Sequence, residues 1–333
     1  MGGRDHPERH LPGNCGTGEA PLPGNRGTGE APRPDARVDD GGDDGGAALT
    51  RRVTLIGRPL KRRHSAVMHN AAFAAAGIDA RYELLEIEPD AVAAAVADAR
   101  GADFLGLGVT APYKRVIAGL CDEVEPDAEA IGAVNNVVRT SDGRLIGFNS
   151  DAPGFRAGVE RAMGRSLADT AVVVAGAGGA AHAVVFACLA AGARRLTIVN
   201  RTLASADAIV ARFAGISRGR LTALPADSSS IAGALSIADL AVNATTVGMI
   251  DPGSTLDVGA LPATATVFDL VYVPAETPLL RAARARALGS ANGSEMLIAQ
   301  AAIAFERWTG VSGMDEVMRA AVAPLLADPL ATA

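Results

Sequence analysis

AVVVAGAGGAAHAVVFACLAAGA, residues 171–193, contains no Asp, Glu, Lys or Arg. Its length alone would admit a membrane span. Its composition argues otherwise. Ala171–Ala175 is short and β-branched, Gly176, Gly178 and Gly179 cluster, and residues 181–191 suit a helix. Strand, glycine turn, helix is the better parse, and a parallel strand buried on both faces is expected to be apolar throughout. Gly176-Ala177-Gly178-Gly179-Ala180-Ala181 fits G-x-G-x-x-A. In that pattern the first glycine makes the tight turn, the second admits a pyrophosphate, and the small third residue lets helix meet strand. The helix N-terminus faces the phosphate charge. The bland alternative is a tight strand–helix turn with no ligand.

The next strand candidate ends at Asn200-Arg201-Thr202. An NAD site would carry Asp or Glu there for the ribose 2′-hydroxyl. A guanidinium and a hydroxyl suit a 2′-phosphate instead, so the expected cofactor is NADP(H).

The same alternation runs outward in both directions. Strands are expected at Val53–Gly57, Tyr82–Ile87, Phe104–Val109, Thr170–Ala175, Arg195–Asn200, Leu240–Asn243 and Val267–Val271. Helices are expected at Ser65–Ala76, Asp90–Ala99, Pro112–Leu120 and Ala181–Ala190. Alternating β and α implies α/β layering with a parallel sheet. Val134–Arg139 and Leu145–Asn149, joined through Asp142-Gly143, read as a hairpin, hence a mixed sheet and a nearby domain edge. Glu295–Trp308 and Met314–Leu326 are two helices with no strand between them, expected to pack on the first domain.

The chain has 333 residues, 31 Lys+Arg and 37 Asp+Glu, for a net charge of −6. That length suggests two domains. The acidic balance and the 4% aromatic content exclude a basic, stacking nucleic-acid surface. Residues 1–50 hold 12 of the 38 Gly, 6 of the 18 Pro and an 11-residue repeat (11–21 and 22–32). This low-complexity tail is expected to be disordered, or to precede a start of translation near Val38 or Val53. No apolar h-region marks a signal peptide. Cys15, Cys121 and Cys188 lack metal spacing and fit a reducing, cytoplasmic setting. No metal is expected.

Only two lysines occur, Lys61 and Lys114, against 29 Arg. Lys114 closes Val109-Thr110-Ala111-Pro112-Tyr113-Lys114, off a strand end. With Pro112 suited to a first turn, Lys114 is expected near a positive helix end, where a cation is slightly unfavourable. Lysine can surrender a proton at accessible pH and arginine cannot. Asn135, Asn136 and Asn149-Ser150-Asp151 lie on and beside the hairpin, and an Asp next to Lys114 would hold the ammonium in place. Read singly, Lys114 is a surface lysine and Asp151 a helix cap.

These motifs in this order resemble the shikimate dehydrogenase family, over about residues 53–327. The likeness rests on Gly57-Arg58-Pro59-Leu60, Ser65, His69-Asn70, the segment 109–114, Gly132–Asn136 and Asn149–Asp151. It continues through the glycine turn, Asn200–Thr202, Asn243-Ala244-Thr245, Asp269–Tyr272 and Met296-Leu297 with Gln300. The resemblance implies an N-terminal α/β substrate domain with a mixed sheet (51–151, completed by helices within 295–327). It also implies a Rossmann-type dinucleotide-binding domain (152–294), with a cleft between the two. The implied reaction is NADP-dependent reduction of 3-dehydroshikimate to shikimate, on the route to chorismate and the aromatic amino acids. Lys114 and Asp151 would be catalytic. Arg63, Ser65, Thr110, Asn135, Asp151, Tyr272 and Gln300 would bind the substrate. Gly176, Ala177, Gly178, Gly179, Ala180, Asn200, Arg201, Thr202, Asn243, Ala244, Thr245, Val271 and Gly293 would bind the cofactor. The expected partner is this small molecule, with no nucleic acid or membrane, in a monomer or homodimer.

Four positions depart from the family pattern. Arg63 replaces the first serine of a Ser-x-Ser pair and could take a carboxylate bidentately. Gly108 replaces an Asn. Glu295 puts an acid near the expected nicotinamide end. Ser205 replaces a second 2′-phosphate arginine. A paralogue acting on quinate, aminoshikimate or another altered shikimate therefore stays open, as does a non-catalytic cofactor or metabolite sensor.

Overall fold

The computed structural model describes residues 50–60, 63–251 and 253–327. The tail, Cys15 and Lys61 lie outside them. The N-terminal elements are β1 (Arg51–Gly57), α1 (His64–Ala75), β2 (Ala80–Glu86), α2 (Val92–Asp98) and β3 (Phe104–Val109). Then come β4 (Glu123–Val124), α3 (Pro126–Ile131), β5 (Asn136–Arg139), β6 (Leu145–Phe148) and α4 (Asp151–Met163). The first sheet has the order β2-β1-β3-β5-β6-β4. It is mixed because β5 runs antiparallel to both β3 and β6, as the hairpin demanded. Gly143 takes φ +84° in the hairpin turn, where a β-carbon would be strained.

The second half comprises β7 (Ala171–Ala175), α5 (Gly179–Ala190), β8 (Arg195–Asn200), α6 (Leu203–Arg212), α7 (Ala214–Ser217) and β9 (Leu221–Pro225). It continues with α8 (Ser230–Leu235), β10 (Leu240–Asn243), β11 (Thr266–Asp269), α9 (Pro278–Ala285) and β12 (Gly289–Asn292). Two helices follow, α10 (Ser294–Thr309) and α11 (Asp315–Ala327). The second sheet is parallel at every pairing, in the order β12-β11-β10-β7-β8-β9. Every residue of β7, β10 and β11 is buried, which is why these strands read as apolar runs.

The C-terminal helices turn back to the first sheet. Ile298, Phe305 and Trp308 of α10, with Met318 and Val322 of α11, share one core with Val53, Met68 and Phe73. Helix α10 also lies close against α4. A β-carbon on Gly154 would come within 2.7 Å of Gln300 Cβ, and one on Gly158 within 2.9 Å of the Met296 nitrogen. Those glycines let two backbones approach and carry Gln300 to the start of α4.

Three expectations need correction. Residues 112–120 form two 3₁₀ turns, Tyr113–Arg115 and Ile117–Leu120, not a continuous helix. The Lys114 carbonyl accepts from Val134 N (2.8 Å), a strand-side partner in place of an i+4 amide, and Val116, Ile117 and Gly119 are poor helix formers. Lys114 therefore does not sit at a helix terminus. The segment 90–99 opens as a 3₁₀ turn, Pro89–Ala91, before α2. Strand β11 stops at Asp269 because its own carboxylate accepts from Val271 N (3.0 Å), bending the chain out of the ladder.

Candidate active site

The functional side chains gather at strand ends. Thr110 follows β3, Asn135 precedes β5, and Asp151 opens α4 just after β6. Together with Ser65, Lys114, Tyr272 and Gln300 they line a cavity of about 980 Å³. Lys114 Nζ donates to Asp151 Oδ2 at 2.6 Å. Asn135 Nδ2 donates to the other carboxylate oxygen at 2.8 Å and to Ser150 Oγ at 3.1 Å. Asn136 Nδ2 donates to Ser150 Oγ (2.8 Å), and Ser150 Oγ donates to Gln300 Oε1 (3.3 Å). Asn149, not Asp151, does the capping: its Oδ1 accepts from Ala152 N at 3.2 Å. Asp151 is thereby free to hold Lys114. An ammonium gripped by an oriented carboxylate, beside amide and hydroxyl groups, is an arrangement that can donate a proton and hydrogen-bond a hydroxylated ligand.

Against the same cavity stands the glycine turn. Gly176 takes φ +109°, and a β-carbon there would meet Thr245 Cγ2 at 2.8 Å. Gly178 and Gly179 face open space. Helix α5 starts at Gly179 with no side-chain cap, so its first N–H groups point at that space. In the second sheet β7 and β10 are neighbours from which the strand order runs both ways, which makes a crevice between their C-terminal ends. Arg201 and Thr202 are exposed at the end of β8, and the Thr202 hydroxyl makes no capping bond to α6. An uncapped helix start, an open glycine cradle and a free guanidinium and hydroxyl fit a dinucleotide with a 2′-phosphate.

Not every expected residue takes part through its side chain. Arg63 is exposed and outside the residues lining the cavity. Of the expected cofactor residues, Ala180 and Gly293 line it; the others lie along the ends of β7, β8, β10 and β11. Asn243 is buried and bonded internally. Its amide donates to Asp269 Oδ1 (2.8 Å) and Val247 O (3.1 Å), and its Oδ1 accepts from Thr245 Oγ1 (2.7 Å). Asn200 Nδ2 likewise donates to Thr202 O at 2.9 Å.

Glu295 turns away from the cavity. It pairs with Arg319 on α11 and with Arg161 on α4 (3.4 Å), so the acid expected near the nicotinamide end is neutralised behind α10.

Two other residues at the site stand in the family motifs, but the sequence assigns them no role. Asp269 is fully buried, and its carboxyl is pushed up by burial while Thr277, Val271 and Asn243 donate to it. It shapes the loop ends that hold Asn243 and Val271. His69 lines the cavity, stacked on Tyr82 at 4.5 Å, and burial lowers its pKa to about 3. Its place in the family motif is the only hint that could have found it. No cluster of metal-ligating side chains exists among the described residues, and no described helix is long and apolar enough to cross a membrane.

Comparisons with known proteins agree with this geometry. Residues 55–137 match the family "Shikimate dehydrogenase substrate binding domain", 159–247 match "Shikimate / quinate 5-dehydrogenase", and 293–323 match "Shikimate 5'-dehydrogenase C-terminal domain". The NADP(+) shikimate dehydrogenase of Symbiobacterium thermophilum is 42% identical over 285 residues, covering 84% of this chain and 96% of that protein. A Thermus thermophilus shikimate 5-dehydrogenase, solved with NADP(H) and shikimate, is 37% identical at TM-score 0.71, over 81% of this chain and 99% of that one. Quinate dehydrogenase from Corynebacterium glutamicum, solved with NAD, is 32% identical at TM-score 0.77, over 83% and 99%.

Proposed function

The chain belongs to the shikimate dehydrogenase family, and from that premise we propose that it reversibly reduces 3-dehydroshikimate to shikimate with NADPH. It is an oxidoreductase acting on a CH–OH group. The observation that carries this reading is the Lys114–Asp151 pair, 2.6 Å apart in a cavity that abuts an open glycine turn. NADPH, when bound, supplies the hydride. Lys114 Nζ faces the ketone oxygen, stabilises the charge that develops there and delivers the proton. Asp151 keeps the ammonium oriented, and Asn135 fixes the second carboxylate oxygen. Thr110, Asn135, Asp151 and Gln300 hold ring hydroxyls, and Tyr272 stands near the substrate carboxylate or the nicotinamide. Arg63 is left out of this reading because it is exposed and not among the residues lining the cavity. Arg201 and Thr202 take the 2′-phosphate, and residues 176–180 take the pyrophosphate.

The division into a substrate domain (51–151 with 295–327) and an NADP domain (152–294) is supported by the two separate sheets. A monomer or homodimer acting in the cytoplasm completes the proposal. A paralogue reading is favoured by one observation, the absence of a side chain at Gly108 in the cavity wall. Following NADP+ reduction with shikimate, quinate and aminoshikimate in parallel tests both. Fastest turnover of shikimate supports the first reading, and preference for another acid supports the second. Cofactor binding without turnover of any of them would show a sensor.

A further inference from the structure

Two positions depart from the family pattern at this wall: Arg63, in place of a serine expected to read the substrate carboxylate, is exposed and not among the residues lining the cavity, and Gly108, in place of an Asn, offers no side chain. Among the described residues lining the cavity, Lys114 is the only Lys or Arg, and Asp151 engages it. The groups lining the cavity that remain to meet a carboxylate are, among the described residues, neutral donors. The structure shows what fills the space above Gly108. A β-carbon there would lie 2.5 Å from the Tyr82 hydroxyl and 3.0 Å from Leu55 Cδ1. Tyr82 sits on β2, two strands from Gly108, so its ring reaches across β1 to the wall of the cavity.

Tyr82 is held rigidly. Asn70 brackets its backbone, accepting from Tyr82 N (2.7 Å) and donating to Tyr82 O (3.1 Å). The ring stacks on His69 at 4.5 Å with 16° between planes. Ser65 and Tyr82 line the same cavity, and burial keeps the phenol protonated well above its ordinary range. A protonated phenol has an O–H to donate to a ligand in that cavity.

We infer that Tyr82 is a specificity-determining residue whose hydroxyl, seated over Gly108 in the cavity wall, receives the substrate carboxylate. The inference rests on the shikimate reading. A fixed donor loses little freedom on binding, and a hydrogen bond to a charged group is among the stronger ones.

The test is discrimination between shikimate and its methyl ester, measured as kcat/KM on the whole enzyme. Tyr82→Phe should raise KM for shikimate about tenfold, with a smaller change in kcat. KM for the ester and for NADP+ should stay close to wild type, so the acid-to-ester ratio collapses. Gly108→Ala, whose methyl displaces the hydroxyl, should produce the same collapse, and adding it to Tyr82→Phe should cost no further discrimination. A merely structural tyrosine would weaken acid and ester alike. An unchanged ratio in both variants, beside an active wild type, overturns the role of Tyr82 alone. A wild type inactive on shikimate overturns the function and this inference together.

Discussion

Lys114 Nζ lies 2.6 Å from Asp151 Oδ2, although 37 residues separate the two in the chain. One stands on a 3₁₀ turn after β3 and the other opens α4. The first sheet makes them neighbours by running β5 and β6 antiparallel between them.

Lys114→Ala removes the proposed proton donor without touching the cofactor cradle. Steady-state kinetics with shikimate and NADP+ should show kcat lower by about 10²- to 10⁴-fold and KM changed far less. Near-normal turnover would rule out the role.

Arg201→Ala removes the guanidinium proposed to take the 2′-phosphate, and Ser205 leaves no second arginine four residues on to compensate. KM for NADP+ should rise roughly 10- to 100-fold while KM for NAD+ stays within about threefold. Equal losses with both cofactors would place Arg201 outside the phosphate site.

His69 carries a pH signature in stability. Its folded pKa, about 3, lies below the ordinary 6.5, so between those values the unfolded chain holds one proton more. Stability therefore rises with pH across that window, by about 1.4 kcal/mol per pH unit from this residue. Asp269 acts in the opposite sense. Its raised pKa favours the folded state below 3.8, and that contribution fades as pH climbs through its folded value. Urea unfolding at pH 5 and pH 6.5 should show a shallower slope for His69→Phe than for wild type. Parallel slopes would contradict a neutral buried imidazole.

Glu295→Ala should cost stability and spare catalysis, because the side chain bridges α11 and α4 behind the site. A loss of about 1 kcal/mol in chemical unfolding is expected, with kcat and both KM values within twofold. A large change in the NADPH KM would show the acid near the nicotinamide after all.

Part of the fold was legible from short-range pattern. The bounds of β3, β8 and β10 match their apolar runs, and the hairpin turn was announced by Asp142-Gly143. Helix α4 carried no such pattern, since Pro153, Gly154 and Gly158 look like loop residues. The proline is harmless in a first turn, and the glycines serve a contact with α10, which no local pattern reveals. The helix expected at 112–120 failed for a related reason: the Lys114 carbonyl was claimed by Val134 from another element.

The site divides along the same line. The glycine turn, its flanking strand and helix, and the Arg201-Thr202 end of β8 were determined by residues within about 30 positions of each other, because turn chemistry and burial periodicity are local. The motifs also named Lys114, Asp151, Asn135 and Gln300, with Asp151 as the partner of Lys114, but not how the others join that pair. Only the tertiary structure decided that Asn135 holds the second Asp151 oxygen, that Glu295 faces Arg319, that Arg63 lies outside the residues lining the cavity, and that Tyr82 covers Gly108. Those outcomes depend on how two sheets and the returning α10 pack, and packing is set by side-chain volume across long separations in the chain.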